Sequence, residues 1–196
     1  MNESERVRFE LTEPAKVQRF SRPPHSTALP PLRRDASAYL ARFSSLQCGL
    51  LSVDLRRAVL DDVEHIAQLF RRTRAQCMPY LPVLHTPAED IAYFRDVVFR
   101  RCSIWLAERD HIIGFCAFRP QWLDHLYVDQ MAQGGGIGSQ LLTVALRENS
   151  VLNLWVFQKN TAAIRFYEKR GFKLVEKTDG AANEEREPDA WYRKDL

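Results

Sequence analysis

Two stretches decide how this chain is read: Gln133-Gly134-Gly135-Gly136-Ile137-Gly138, and Asn160-Thr161-Ala162-Ala163-Ile164-Arg165-Phe166-Tyr167-Glu168-Lys169-Arg170-Gly171-Phe172. The first stands between a strand pattern, Trp122–Val128, and a helical pattern with Ile137, Leu141, Val144 and Ala145 on one face. Glycines at a helix N-terminus leave backbone N–H groups uncovered, and such groups bind phosphate oxygens with help from the helix dipole. No Lys-Ser/Thr follows, so this is not a Walker loop, and Leu141 stands where a G-x-G-x-x-G fingerprint needs its third glycine. On the glycines alone a pyrophosphate cradle and a flexible turn both stay open. In the second stretch Asn160 reads as the N-cap of a helix over Thr161–Arg170, and Gly171 suits the left-handed position that stops it.

Working outward, the chain alternates strand and helix signals from Val53 onward. Val53–Val59 reads as a strand, and Asp61 with Glu64 three residues later reads as a capping box. Val63, Ile66, Ala67 and Phe70 then mark one buried helical face. Thr86 caps a second helix with Pro87 at its first position and Glu89 closing the box, and Ile91, Phe94 and Val98 form its inner side. Ser103–Glu108 and His111–Phe118 read as an antiparallel hairpin turning at Arg109-Asp110, followed by strands Trp122–Val128 and Val151–Phe157. Lys173–Lys177 and Trp191–Arg193 close the pattern around a polar, acidic loop. The order βααββββαβαββ, with one strand counted as split, defines a mixed α/β or α+β single domain.

With those elements in place, the chain resembles the GNAT superfamily of N-acetyltransferases. Its Q/R-x-x-G-x-G/A acetyl-CoA loop matches Gln133, Gly136 and Gly138, and its N-x-x-A-x-x-F-Y-x-x-x-G-F segment matches Asn160, Ala163, Phe166, Tyr167, Gly171 and Phe172. The resemblance covers Val53 to Leu196. It implies a mixed, mostly antiparallel central sheet flanked by about four helices and splayed open between strands 4 and 5, where the pantetheine arm enters. Leu126, Tyr127 and Val128 would then run along that arm, and Gln133, Gly134, Gly135, Gly136, Ile137, Gly138 and Ser139 would hold the pyrophosphate. Asn160, Ala163 and Phe166 would serve the cofactor side, and Tyr167 would bring its hydroxyl near the thioester sulfur. One departure stands out: Gly135 occupies a position where the family very often has Arg, which removes one cationic contact to phosphate.

The implied activity is transfer of an acetyl group from acetyl-CoA to a primary amine of a small molecule, peptide or protein, by direct attack in a ternary complex. That chemistry needs a neutral amine, a stabilised oxyanion and a proton for the departing thiolate. A phenol is a reasonable donor to a thiolate, which suits Tyr167. For the general base the strand offers Asp124 and His125, which simple alternation places on opposite sheet faces unless a bulge intervenes, and His85 ahead of the second helix is a further candidate. The acidic run Glu184-Glu185-Arg186-Glu187, with Asp189, is either an attractor for a cationic amine or a solvated loop. The competing reading is a catalytically silent acyl-CoA-binding module, suggested by Gly135 and by the lack of a glutamate on the strand Trp122–Val128.

Composition agrees with this class. The chain has 196 residues, 45% of them apolar and 27% charged, enough for one well-buried domain. Its formal charge of +3 sits in residues 1–52, with 8 basic and 5 acidic side chains, whereas residues 53–196 balance at 20 and 20. No Lys/Arg stripe marks a nucleic-acid partner. Cys48, Cys77, Cys102 and Cys116 form no pair at zinc spacing, so no metal is expected, and the thiols suit a reduced, cytoplasmic setting. Neither a leader nor an apolar run of membrane-spanning length is apparent, so no membrane partner is expected. Residues 1–52 hold 5 of the 10 prolines and read as an extension, partly disordered or with a short helix around 35–46, ahead of an acetyltransferase domain at 53–196. A homodimer is compatible with the resemblance, and no sequence feature specifies one.

Overall fold

The computed structural model describes residues 53–196, so the extension 1–52 and the helix expected near 35–46 lie outside the described residues. Seven strands form one sheet in the order β1-β2-β3-β4-β5-β7-β6. They are β1 (Asp54–Arg57), β2 (Ser103–Glu108), β3 (Ile112–Arg119), β4 (Trp122–Val128), β5 (Val151–Phe157), β6 (Lys173–Lys177) and β7 (Asp189–Asp195). Four helical segments flank them: α1 (Val63–Cys77), α2 (Pro87–Tyr93), α3 (Ile137–Arg147) and α4 (Thr161–Glu168). This is the mixed, mostly antiparallel sheet with flanking helices that the motifs imply. β2 to β3 is the expected hairpin, and the β7 strand runs two residues further at each end than its apolar core Trp191–Arg193 indicates.

Local chemistry explains most element boundaries. Thr86 accepts the Glu89 N–H while the Glu89 carboxylate accepts the Thr86 N–H, so α2 starts with the reciprocal box expected of it. The start of α1 differs from expectation. Asp62, not Asp61, accepts the Val59 N–H at 2.8 Å and takes a two-pronged bond from the Arg56 guanidinium at 2.7 and 2.9 Å. That fork needs Arg56 from the preceding strand, and β1 ends at Arg57 rather than at Val59. α2 also continues past Tyr93 through a π-helical segment, Phe94–Val98, and a last turn, Phe99–Arg101. Phe94 and Val98 stay buried on it, so the apolar spacing survives while the helix type changes.

The sheet carries a core on each face. On one, Ile66 and Phe70 of α1 and Phe94 and Val98 of α2's extension pack on Ile104, Leu106, Phe115 and Ala117. On the other, Ile137, Leu141 and Ala145 of α3 and Tyr167 of α4 pack on Cys116, Leu123, Leu152 and Leu154. Gly114 permits the close seating of α3, because a Cβ there would stand 3.2 Å from both Leu141 Cδ1 and the Tyr127 carbonyl oxygen.

Strand pairing is antiparallel throughout except between β4 and β5, which run parallel and share, among the described residues, the single register pair Trp122↔Asn153. Asn153 is the pin. Its N–H and its Nδ2 both donate to the Gln121 carbonyl, at 2.8 and 2.9 Å, and its Oδ1 accepts from Trp191 Nε1 at 3.0 Å. Gln121 is held in a left-handed turn with φ 66°, and its N–H donates to Asn149 Oδ1 at 2.7 Å. Beyond this junction β4 and β5 diverge and leave a cleft, as the motifs imply.

Asn153→Leu keeps the branched shape of the side chain but strands the half-buried Trp191 N–H and part of the Gln121 carbonyl's bonding. It is expected to lower unfolding stability by about 1–3 kcal/mol, read from urea midpoints with circular dichroism.

Candidate active site

The cleft between β4 and β5 is walled by Leu123, Leu126 and Tyr127 on one side and Leu154, Val156 and Phe157 on the other. α4 and its cap contribute Asn160, Ala163 and Tyr167, while Glu185 of the final loop, Asp189 at the start of β7 and Met78 at the end of α1 add to the wall. It spans about 730 Å³, open solvent at its mouth included. Toward β3, β4 is paired from Trp122 to Val128. Among the described residues its other edge has no strand partner past Trp122, so its peptide groups face the cleft as an open template.

The glycine loop lies at one end of that edge. Asp129 accepts the Met131 N–H at 3.0 Å and the Arg72 guanidinium at 2.5 Å, which fixes the approach to the loop. Gln133 Nε2 donates to the Val128 carbonyl at 3.0 Å, so this side chain staples the loop back to β4. Gly136 is the N-cap of α3 with φ 83°, a conformation in which any side chain would be strained. No atom lies within 4 Å of where a Cβ would stand at Gly134 or Gly136. Bare backbone therefore faces open space at a helix start, and the residues present fit a diphosphate there.

Tyr167 sits on the cleft wall between Phe166 and Phe172, with ring centroids 5.2 and 5.5 Å away. Burial drives its hydroxyl well above the ordinary tyrosine range, with Tyr127 and Cys116 adding to the shift and Arg170 opposing it. At neutral pH it is an uncharged phenol. Asn160 also lines the cleft, where its Oδ1 accepts the Ala163 N–H at 3.2 Å and caps α4.

Asp124 and His125 come to the same face, contrary to simple alternation. A bulge in β4 sets His125 opposite Ala117 and Leu123 opposite Phe118, and Asp124 is the extra residue between them. Asp124 borders the cleft, accepts from Arg119 Nε at 2.9 Å and from Cys102 Sγ at 3.3 Å. Burial raises its carboxyl above the usual range, and Arg119 works against that shift. His125 is not among the residues that line the cleft. It is 2% exposed among Phe70, Phe94, Phe115 and Tyr127, with Nε2 3.3 Å from the Tyr93 hydroxyl. Burial, with a smaller contribution from Arg74, lowers its pKa to about 3, so it stays neutral. His85 is not among the cleft-lining residues either; its Nε2 lies 3.1 Å from Glu184 Oε2 of the acidic loop.

The acidic loop is not a solvated one. Glu185 is buried and accepts from Arg74 at 2.9 Å, joining the last loop to α1 across 111 residues of sequence. Asp189 is bonded by Thr178 Oγ1 and, at 3.1 Å, by Asn183 Nδ2. Trp122 and Trp155 each lie about 6 Å from Trp191 by ring centroid, and these indoles continue the sheet face beside the cleft. Neither the Arg74–Glu185 pair nor Asn153 carries any signal in local sequence.

Comparison with known proteins places this geometry. A family model described as an acetyltransferase (GNAT) domain matches residues 100–174. The peptidyl-lysine N-acetyltransferase YjaB of Escherichia coli strain K12 is 35% identical over 130 residues, which cover 65% of this chain and 86% of that protein. The peptidyl-lysine N-acetyltransferase YiaC of the same strain is 27% identical over 124 residues, covering 62% and 84%. Among solved structures, the PaiA N-acetyltransferase of Thermoplasma acidophilum in complex with coenzyme A superposes with a TM-score of 0.61 at 21% identity, covering 74% of this chain and 99% of that one. The solution structure of apo-form YjaB from Escherichia coli gives 0.58 at 23% identity, covering 72% and 97%. The chain belongs to the GNAT acetyltransferases. It is accordingly an acetyl-CoA-dependent acyltransferase, with acetyl-CoA as co-substrate. Among the described residues no helix is long and apolar enough to cross a membrane.

The neutral state of His125 has a measurable consequence. The folded chain leaves it unprotonated down to about pH 3, whereas the unfolded chain takes up that proton near 6.5. Between those values the unfolded state binds more protons, so stability falls as pH falls. His125→Phe is expected to remove that part of the slope, at most about 1.4 kcal/mol per pH unit, in urea unfolding series from pH 7 to pH 4. An unchanged slope in the variant shows an imidazole that protonates freely in the folded state.

Proposed function

We propose that this chain transfers an acetyl group to a primary amine by direct attack in a ternary complex, and that the acceptor is a lysine side chain of a peptide or protein. The observation that carries the proposal is the open β4 edge running from a bare glycine loop to the Tyr167 hydroxyl side of one cleft. The names of YjaB and YiaC as peptidyl-lysine N-acetyltransferases support the acceptor class. Residues 53–196 form the catalytic domain in this reading, with 1–52 as an extension outside it.

Acetyl-CoA supplies an activated acyl thioester. The peptide groups of Leu126, Tyr127 and Val128 hold the pantetheine arm as a neighbouring strand would, and Gln133 through Ser139 enclose the diphosphate. Asn160, Ala163 and Phe166 border the same path. Asp189 gives the acceptor end of the cleft a negative group that favours entry of an ammonium, while Glu185 beside it is held by Arg74. Attack needs the free amine, and Asp124, at the bulge, is the group placed to take its proton, its raised pKa bringing it nearer to working pH. His125, sealed in its aromatic box, shapes the β4 wall and holds no exchangeable charge. Tyr167 stays protonated and gives its proton to the departing thiolate. Burial raises the thiols of Cys102 and Cys116, the latter to about 12, which argues against an acyl-cysteine route.

Tyr167→Phe is expected to lower kcat by ~10²-fold or more, with acetyl-CoA affinity within about two-fold by calorimetry. Gly136→Trp is expected to abolish acetyl-CoA binding while the chain stays folded. Asp124→Asn is expected to lower kcat and to remove the acidic limb of its pH profile. Tight acetyl-CoA binding with no turnover on lysine peptides or small amines would instead select the silent binding module.

A further inference from the structure

Gly135 deprives the phosphate loop of a side chain where the family's pattern very often carries Arg, yet the structure holds a guanidinium from another element beside the first turn of the helix that follows the loop. Arg170 follows the last turn of α4 and folds back over Phe166, its Cζ 3.7 Å from the ring centroid. Nη1 donates to the Phe166 carbonyl at 2.8 Å, and Nη2 donates to Ser139 Oγ. Ser139 lies in the first turn of α3, two residues past its start at Ile137. The Phe166 ring is in turn the neighbour of Gly138, 3.4 Å from where a Cβ would stand. Guanidinium, ring and glycine thus form one stack beside the helix start.

We infer that Arg170 supplies the cation that binds the diphosphate of acetyl-CoA, replacing the side chain that Gly135 lacks; the inference rests on the cofactor site proposed above. Among the described residues no carboxylate forms an ion pair with Arg170, so its charge is uncommitted within the fold. A guanidinium has five N–H donors, of which two are used by Phe166 and Ser139, leaving three for an anion. Stacking on Phe166 holds the fork in position before binding, which reduces the rotamer entropy lost when the ligand arrives. The competing role is structural: the Phe166 carbonyl bond alone would make Arg170 a fastener for the end of α4.

The test is calorimetric titration of the full chain and of Arg170→Gln with acetyl-CoA and with dephospho-CoA, which keeps the diphosphate but lacks the 3′-phosphate. Turnover of S-acetylpantetheine, which has neither group, and thermal unfolding accompany it. Arg170→Gln is expected to weaken acetyl-CoA and dephospho-CoA by about the same ten-fold factor, with kcat/KM for S-acetylpantetheine within two-fold of the parent chain. Arg170→Lys, which keeps the charge and loses the fork, is expected to recover part of the affinity. Affinity within two-fold of the parent overturns the inference. So does a loss confined to acetyl-CoA, which puts the contact on the 3′-phosphate, or an equal loss with S-acetylpantetheine, which shows a fastener only. If the parent chain binds no acetyl-CoA, the cofactor site and this inference fail together; if it binds and Arg170→Gln binds equally, this inference alone fails.

Discussion

The structure depends on one side chain at the junction of two strands. Asn153 ties the parallel pair β4 and β5 together through the Gln121 carbonyl and reaches β7 through Trp191. Every other neighbouring pair in the sheet is an antiparallel ladder of four or more register partners, so this is the place where the sheet can part. A junction fixed at one end and free beyond it gives an opening of constant shape with an unpaired peptide edge along it. The free backbone groups need hydrogen-bond partners, and an extended ligand carrying amides of its own can supply them.

What stands along the opening follows from the two cores. One core seats α3 and α4 against the sheet and so sets the glycine loop at the start of α3 and Tyr167 and Asn160 on the wall of the cleft. The other seats α1 and α2 and brings His125 and Tyr93 into a buried aromatic cluster. The bulge at Asp124 carries the strand from one facing pattern to the other, so a carboxylate that alternation would send to α3 instead meets Arg119 and Cys102. Burial then sorts the titratable groups by role. Tyr167 keeps its proton, His125 loses the ability to take one, and Asp124 holds its proton more tightly than a surface carboxylate would.

The last loop is fastened beside the cleft by an ion pair rather than by apolar packing. Arg74 and Glu185 are both largely withdrawn from water, which costs desolvation that their mutual attraction and the surrounding bonds offset. Arg74 also lies 5.3 Å from the Phe70 ring and is hydrogen-bonded to Tyr127, so the loop is linked to the same cluster that holds His125. Fixing the acidic loop against α1 turns a run of charges into a wall with a defined position.

Much of this was legible along the chain, because its cause is local. The strands Trp122–Val128 and Val151–Phe157, the Thr86 box, the Asn160 cap and the glycine loop each depend on residues within about four positions, the reach of helical bonding and side-chain alternation. The two motifs and their order also carried the family and the co-substrate. Tertiary structure alone decided the shift of the first helix cap to Asp62, where the Arg56 guanidinium of β1 binds the carboxylate while also bonding Glu108 of β2. It also decided the π-helical turn, the bulge at Asp124, the burial of His125, the Arg74–Glu185 pair and the meeting of Arg170 with Ser139. Each of these is a contact between residues far apart in sequence, or a response to packing from both sides of the sheet. Pattern within one element reports which groups are present and which way the backbone runs; the charge state and partners of a group are set by what the folded chain places beside it.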